Sequence, residues 1–154
     1  MLDTDPYTRN LVNTNYYVQR TDLSARVVAV LRGHLDNRNL ELIPQPSRAI
    51  KQGEVHELIV TDENAAPGRK VQRIAYIAFV EFLNGGVMLH RDDVLTEKGY
   101  LGTLAGYDLS HFPNHMNMVV QGNLESGEDR GLAVGIPVIF RAHSISRERS
   151  GKKQ

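Results

Sequence analysis

A chain of 154 residues fits one domain, since domains commonly hold roughly 100–200 residues. Lys plus Arg and Asp plus Glu both number 18, so the formal net charge is zero and no broad polyanion-binding face is expected. Cysteine is absent, which excludes disulfides, thiolate nucleophiles, Cys-based zinc sites and iron–sulfur clusters.

Residues 1–22 are polar, with Tyr7, Tyr16 and Tyr17 as bulky anchors, and read as an irregular arm. The start, Met1 to Pro6, is acidic and lacks the basic opening and apolar run of a signal peptide. No stretch approaches the ~20 apolar residues that span a bilayer. A bacterial, cytoplasmic protein without nucleic-acid or membrane partners is the expectation.

The first strand is expected over Arg26–Arg32, rich in β-branched residues. Gly33 and Asp36-Asn37-Arg38 read as a turn, and Asn39–Ile43 as a second strand stopped by Pro44 and Pro46. Val55–Val60 forms the next strand, followed by a loop through Asn64, Pro67 and Gly68. Arg73–Leu83 is the longest apolar run, and its Ile, Tyr, Phe and Val favour a strand buried on both faces. Short strands are expected at 87–89, 94–96, 100–105, 116–121 and 137–142, with a polar loop over 122–131.

Strands joined by short turns, without long amphipathic helices, predict an all-β chain. The expected architecture is a single closed or partly open antiparallel β-barrel over residues 23–146, with the arm before it and a polar tail over 147–154. The basic residues Arg147, Arg149, Lys152 and Lys153 of that tail, interrupted by Glu148, read as a solvated terminus.

Several pieces recur in a recognisable order. An apolar strand leads to Ala66-Pro67, then come Ile74–Leu83, Gly85-Gly86-Val87 and Leu104-Ala105-Gly106. Phe112-Pro113 precedes an apolar strand ending in Gly122, and Leu132–Gly135 leads into Val138-Ile139-Phe140. This order resembles the glucitol/sorbitol-specific IIA component of the bacterial sugar phosphotransferase system. The resemblance implies a small β-barrel. That family works through a phosphorylated histidine after the Ala-Pro loop, but no histidine occurs between Arg69 and Leu89 here, so its phosphotransfer is not expected to carry over. The stretch His111-Phe112-Pro113-Asn114-His115 also resembles that of small uncharacterised bacterial proteins.

Of six histidines, His111 and His115 form the sharpest feature. Their i,i+4 spacing would share a helix face, but Pro113 between them favours an irregular loop. With His90, Glu81, Asp92 or Asp93 as a third ligand, the pair could hold a divalent metal and leave positions open for water or substrate. Without metal, two imidazoles exchange protons near neutral pH, since the unperturbed pKa is ~6.5. The bland alternative is a loop cap that bonds backbone carbonyls.

Glu81 sits in the most apolar strand. It reads as a general base or metal ligand aimed into a cavity, or as a surface partner of Arg73 or Arg141. Asp108 could orient an imidazole or close a local Asx turn. His90, Asn114 and Asn117 are further candidate ligand contacts, and Asp92-Asp93 otherwise reads as a solvated turn. There is no Gly-x-Ser-x-Gly elbow and no phosphate-binding fingerprint around Gly85-Gly86.

Three functional readings compete at this stage. One is an enzyme that uses a His-lined pocket for proton transfer or metal-assisted chemistry on a small polar metabolite. The second is a non-catalytic metabolite- or protein-binding module. The third is a structural subunit whose Tyr-bearing arm mediates homo-oligomer contacts.

Overall fold

A computed structural model of the chain describes residues 20–143. β1 (Leu23–Val30) alternates buried Leu23, Ala25 and Val27 with exposed Arg26 and Val28, the period of a strand with one covered face. β2 (His34–Leu35), β3 (Leu40–Glu41) and β4 (Ser47–Ile50) are short. β5 (Val55–Thr61), the two-residue β6 (Lys70–Val71) and β7 (Ile74–Phe82) follow. β8 (Gly86–Leu89), β9 (Asp93–Thr96), β10 (Gly99–Asp108), β11 (Asn117–Gln121) and β12 (Pro137–Arg141) complete the order.

The described residues are all-β, and none forms a helix long and apolar enough to cross a membrane. Seven strands pair in the order β1-β12-β9-β10-β11-β5-β7, and β7 returns to β1 to close the ring. β7 reaches around the seam because its last residues, Ala78–Phe82, pair with β1 while Ile74 and Ala75 pair with β2. The expected antiparallel pairing holds at every seam but one. A ring with an odd number of strands cannot alternate direction all the way round, and the parallel seam is β11–β5.

The interior is filled by one apolar cluster that includes Leu58, Ile77, Val80, Phe82, Met118 and Phe140. A second cluster lies on the outside of the ring. There Leu40, Leu42 and Val71, carried on or beside the small β3–β6 ribbon, cover Ile59, Ile74 and Val119 of the wall. This explains why β5 and β7 are buried on both faces. Each strand separates the interior from a patch under the ribbon, so the long apolar run reads as it does for a central strand. The two clusters hold the frame on which the β10–β11 connection sits.

The long strands overlap the runs expected of them, but β1 covers Leu23–Val30 instead of 26–32, and β10 continues through Asp108 instead of ending at 105. β2, β4 and β6 are absent from the sequence reading; they lack an apolar run of their own and pair with β7, β8 and β3. The arm over 1–22 lies outside the described residues except for Arg20, Thr21 and Asp22, and the tail over 147–154 lies outside them altogether.

Candidate functional site

Asp108 on β10 stands opposite Asn117 on β11, Asn117 opposite Glu57 on β5, and Glu57 opposite Phe79 on β7. Residues paired in register point to one face, so these four side chains make a row across four strands. The row lies on the outer face, which Ile59 and Val119 occupy two residues further along. A polar row on a sheet face is covered only if something packs on it, and here the cover is the 109–116 segment.

That segment is built by local bonds. Asp108 Oδ1 accepts from the Ser110 amide at 2.9 Å, the Asx turn that its sequence setting favours, and also from the Ser110 hydroxyl. The His111 carbonyl accepts from the amides of Asn114 at 3.0 Å and His115 at 3.3 Å. The i→i+4 bond closes a single α-turn that contains the cis Phe112–Pro113 peptide, and Pro113 lies inside it where no amide is needed. The two imidazoles therefore do share a side, with ring centres 5.1 Å apart and planes inclined by 33°.

His115 then settles on the row. Its ring meets Phe79 edge-on, with centres 5.0 Å apart and planes at 80°. Its Nε2 lies 3.3 Å from Glu57 Oε1, with both side chains largely buried. Among the described residues this is the one side-chain hydrogen bond that the Glu57 carboxyl makes. Burial raises the Glu57 pKa above the ordinary carboxyl value. The His115 hydrogen bond and the positive potential of His115, His111 and Arg38 oppose that rise without cancelling it.

Arg38 enters from the segment between β2 and β3, and its backbone is pinned. The Arg38 amide donates to the Gln72 carbonyl at 3.0 Å. Asn39, in a left-handed conformation at φ 57°, exchanges hydrogen bonds with the Gln72 side chain. Arg38 Nη2 lies 3.3 Å from His111 Nε2. A guanidinium has only donors, so His111 Nε2 carries the lone pair in this arrangement.

Directly behind the row, His56 points inward. The Met116 amide donates to His56 Nδ1 at 3.0 Å, which leaves the proton on Nε2 to be donated to Glu54 Oε1 at 2.7 Å. Burial lowers the His56 pKa, against the raising influence of Glu54. Burial works the other way on Glu54, yet the bonds from His56 and the Lys51 amide and the charge of Arg48 bring its pKa below the ordinary value. The Met116 carbonyl accepts from the Glu57 amide at 3.0 Å. Residue 116 is thus tied to β5 through both of its backbone groups, and this fixes where His115 can sit.

Asp108 and Asn117 form the far end of the row. Asn117 Nδ2 donates to Asp108 Oδ1 at 3.1 Å, and Asp108 Oδ2 accepts from the Glu41 amide at 3.1 Å. Burial alone would raise the Asp108 pKa, but the bonds from Ser110, the Glu41 amide and Asn117 outweigh it and lower it. Asn117 is fully buried, and its Oδ1 has no hydrogen-bond partner among the described residues. An unmatched buried carbonyl costs about 1–3 kcal/mol, so it marks a place where the fold leaves an acceptor unused.

The structure brings together His111, His115, Asp108 and Asn117, and leaves other expected site residues elsewhere. Glu81 pairs with Arg26, its neighbour in register on β1, through bonds of 2.9 and 2.8 Å at the surface. It does not aim into a cavity, and its partner is neither Arg73 nor Arg141. His90 lies between β8 and β9, where its amide donates to the Pro46 carbonyl at 2.7 Å. Burial lowers its pKa, with the charges of Arg91 and His143 adding to the effect and Asp92 opposing it. Asn114 is exposed, and its amide serves the turn. No group of three or more His, Asp or Glu among the described residues could hold a metal, so the set His90, His111 and His115 is not assembled.

Asp92 and Asp93 are not a solvated turn. Asp92 is 1% exposed and holds Arg20 with two bonds of 2.8 and 2.7 Å, while Asp93 meets Tyr100 and Arg141. Three members of the site escaped the sequence reading: Glu57, Arg38 and Phe79. The signal for Glu57 was a carboxylate inside the apolar strand Val55–Val60, the same signal that drew attention to Glu81.

Comparison with known proteins adds a family. A family model described as "Family of unknown function (DUF6917)" matches residues 17–141. The chain belongs to that family. The match spans every strand of the ring and every residue of the row and its cover. No curated protein and no solved structure matches the chain. The expected kinship with the glucitol/sorbitol IIA component thus finds no support among the comparisons. The resemblance to an uncharacterised family agrees with the match.

Proposed function

We propose that the chain carries a small-molecule site in which His115 and Glu57 exchange a proton with a polar metabolite. One observation carries the reading: His115 Nε2 stands 3.3 Å from a buried carboxyl that makes no other side-chain bond among the described residues and binds its proton more tightly than usual. A carboxyl with a raised pKa in hydrogen-bond contact with an imidazole places two proton-carrying groups side by side. The proton then belongs to the pair, and either member can take it from, or return it to, a third group. Asn117 supports the arrangement. Its unmatched Oδ1 lies on the residue next to Glu57 in the row, where a protonated carboxyl would find an acceptor. Phe79 and the turn fix the imbalance in place by holding the imidazole against the carboxyl.

The chemistry that suits such a pair is acid–base catalysis on a polar metabolite, with His115 as the exchanging group and Glu57 as its partner. His111 stands outside it, toward solvent. The cytoplasmic, bacterial setting belongs to the same proposal, and the cysteine-free composition is compatible with it.

The test has two parts. Carboxyl carbon NMR, with Glu57 assigned through E57Q, follows its titration in the wild type and in H115Q. Loss of His115 removes a hydrogen bond and a charge that both hold the Glu57 pKa down, so the Glu57 midpoint moves up in H115Q. An unchanged midpoint would show that the two groups do not share a proton. In heavy water, a panel of small polar metabolites is then screened for exchange of carbon-bound hydrogen. Exchange that is present in the wild type and absent in H115Q and E57Q is the expected result, and no exchange with any member would count against catalysis.

A further inference from the structure

We infer that the mouth of this site seats an anionic oxygen group, a carboxylate or a phosphate, held by the Arg38 guanidinium and the His111 imidazole. The inference rests on the reading above and names the class of ligand that the pair would act upon.

Three features of the molecule point the same way. The first is charge. Arg38, His111 and His115 gather around one carboxyl, Glu57, which burial drives toward its neutral form. Arg38 is a permanent cation, and beside a carboxyl driven toward its neutral form its charge lacks a counter-charge that a ligand can supply.

The second is the state of Arg38. Among the described residues its guanidinium has no carboxylate at ion-pair distance, and its side chain meets only His111, at 3.3 Å. Among the described residues Arg20 and Arg26 hold carboxylates at 2.7–2.9 Å, and Arg73, Arg141 and Arg48 hold them at 3.0–3.4 Å, whereas Arg38 holds none. A guanidinium offers five donors in a planar fork that matches two oxygens of a carboxylate or phosphate.

The third is preorganisation. Nothing about an exposed loop arginine requires a pinned backbone, yet Arg38 is half-buried. Its own amide is bound to Gln72, and the next residue is locked in a left-handed turn by a reciprocal amide pair with the same side chain. On the other side His111 is fixed by the turn it closes. The backbone segments that carry both groups are therefore held before an anion arrives, which reduces the ordering cost of binding. Leu109 and Phe112, on the same turn as His111, are exposed and offer apolar surface to the carbon part of the ligand.

The experiment titrates the full chain with inorganic phosphate and, separately, with acetate, while imidazole NMR signals of His111 and His115 are followed. Saturable shifts at His111 that weaken with added salt are expected, since an anion at a part-exposed site is screened. R38Q should weaken binding by about tenfold or more, the equivalent of one lost charge-assisted hydrogen bond. R38K, which keeps the charge and loses the fork, should fall between R38Q and the wild type. R26Q, at the surface pair with Glu81, should bind as the wild type does. Tighter phosphate than acetate binding assigns a phosphate ligand, and the reverse order a carboxylate. Saturation by neither anion, or equal binding by R38Q, would overturn the inference. The proton-sharing reading is scored apart, by the Glu57 midpoint in H115Q, which needs no anion. A Glu57 midpoint that moves while anions fail to bind removes this inference alone.

Discussion

Asp92 and Glu57 are both carboxyls taken almost wholly out of water, and the fold treats them in opposite ways. Asp92 accepts four hydrogen bonds. Two come from the Arg20 fork, one from the Leu89 amide at 2.9 Å and one from the His143 amide at 2.8 Å. Arg20 in turn donates to the carbonyls of Val87 and His143. The result ties the two ends of the described chain to the β8–β9 turn, with every oxygen of the carboxylate used. Glu57 has one side-chain bond, at 3.3 Å, and next to it in the row stands a carbonyl with none. A saturated buried carboxylate is scaffold, because any change of its charge breaks several bonds at once. An unsaturated one can gain or lose a proton while the fold stays as it is.

D92N is the largest break of that contrast. An amide cannot accept four bonds, and its NH2 group faces donors. Arg20 would then be a buried cation without its counter-charge. Loss of one partner of such a pair costs about 3–5 kcal/mol. Urea unfolding followed by circular dichroism should show a loss of that order. A loss below about 1 kcal/mol would mean that the Arg20 clamp is decoration.

E57Q sharpens it from the other side. The folded-state pKa of Glu57 lies above its unfolded value, so this group contributes stability that is fully present below about 4.5, its unfolded value. That contribution is lost as pH rises through the folded pKa. At neutral pH the wild type carries a carboxyl whose burial favours the neutral form, and glutamine removes the problem. E57Q should therefore be at least as stable as the wild type at neutral pH, and the difference should shrink on acidification toward the unfolded value. Unfolding curves at several pH values check this. A large loss at neutral pH would place Glu57 with Asp92 as scaffold. Substitution of two buried carboxyls by their amides then gives effects of different size and, for Glu57, of no cost.

The contrast was hard to read in the sequence, and the reason is geometric. The strands themselves were legible, because the runs in β1, β5 and β7 combine β-branched and aromatic residues with turn residues at their ends. His111 and His115 were legible as a pair through their spacing. What surrounds them was not. Glu57, Phe79, Asn117 and Asp108 are brought into one row by register alone, across one local pairing, β10–β11, and two that join non-consecutive strands. One of those pairings is the parallel seam that ring closure by seven strands requires. Arg38 was read as part of a turn, which it is, but its role depends on Gln72 across the ribbon. Asp92 looked like half of a solvated pair of acids, and only its long-range partners Arg20 and His143 reveal it as buried.

Glu81 completes the comparison as a third carboxyl, and it should give the smallest effect. It lies on the same strand as Phe79 and two residues beyond it, so it shares the outer face of the ring with the row. No turn covers it there. Its partner Arg26 sits opposite in register, and both side chains keep contact with water, 54% and 29% exposed. Coulomb attraction in that setting is screened, and holding two long side chains in one geometry costs entropy that offsets it. E81Q should thus cost less than about 1 kcal/mol in urea unfolding and leave the Glu57 titration where it was. If E81Q moved the Glu57 midpoint, the row would extend one step further along β7. The boundary between surface and site would then have to be drawn beyond Phe79, with Glu81 inside it.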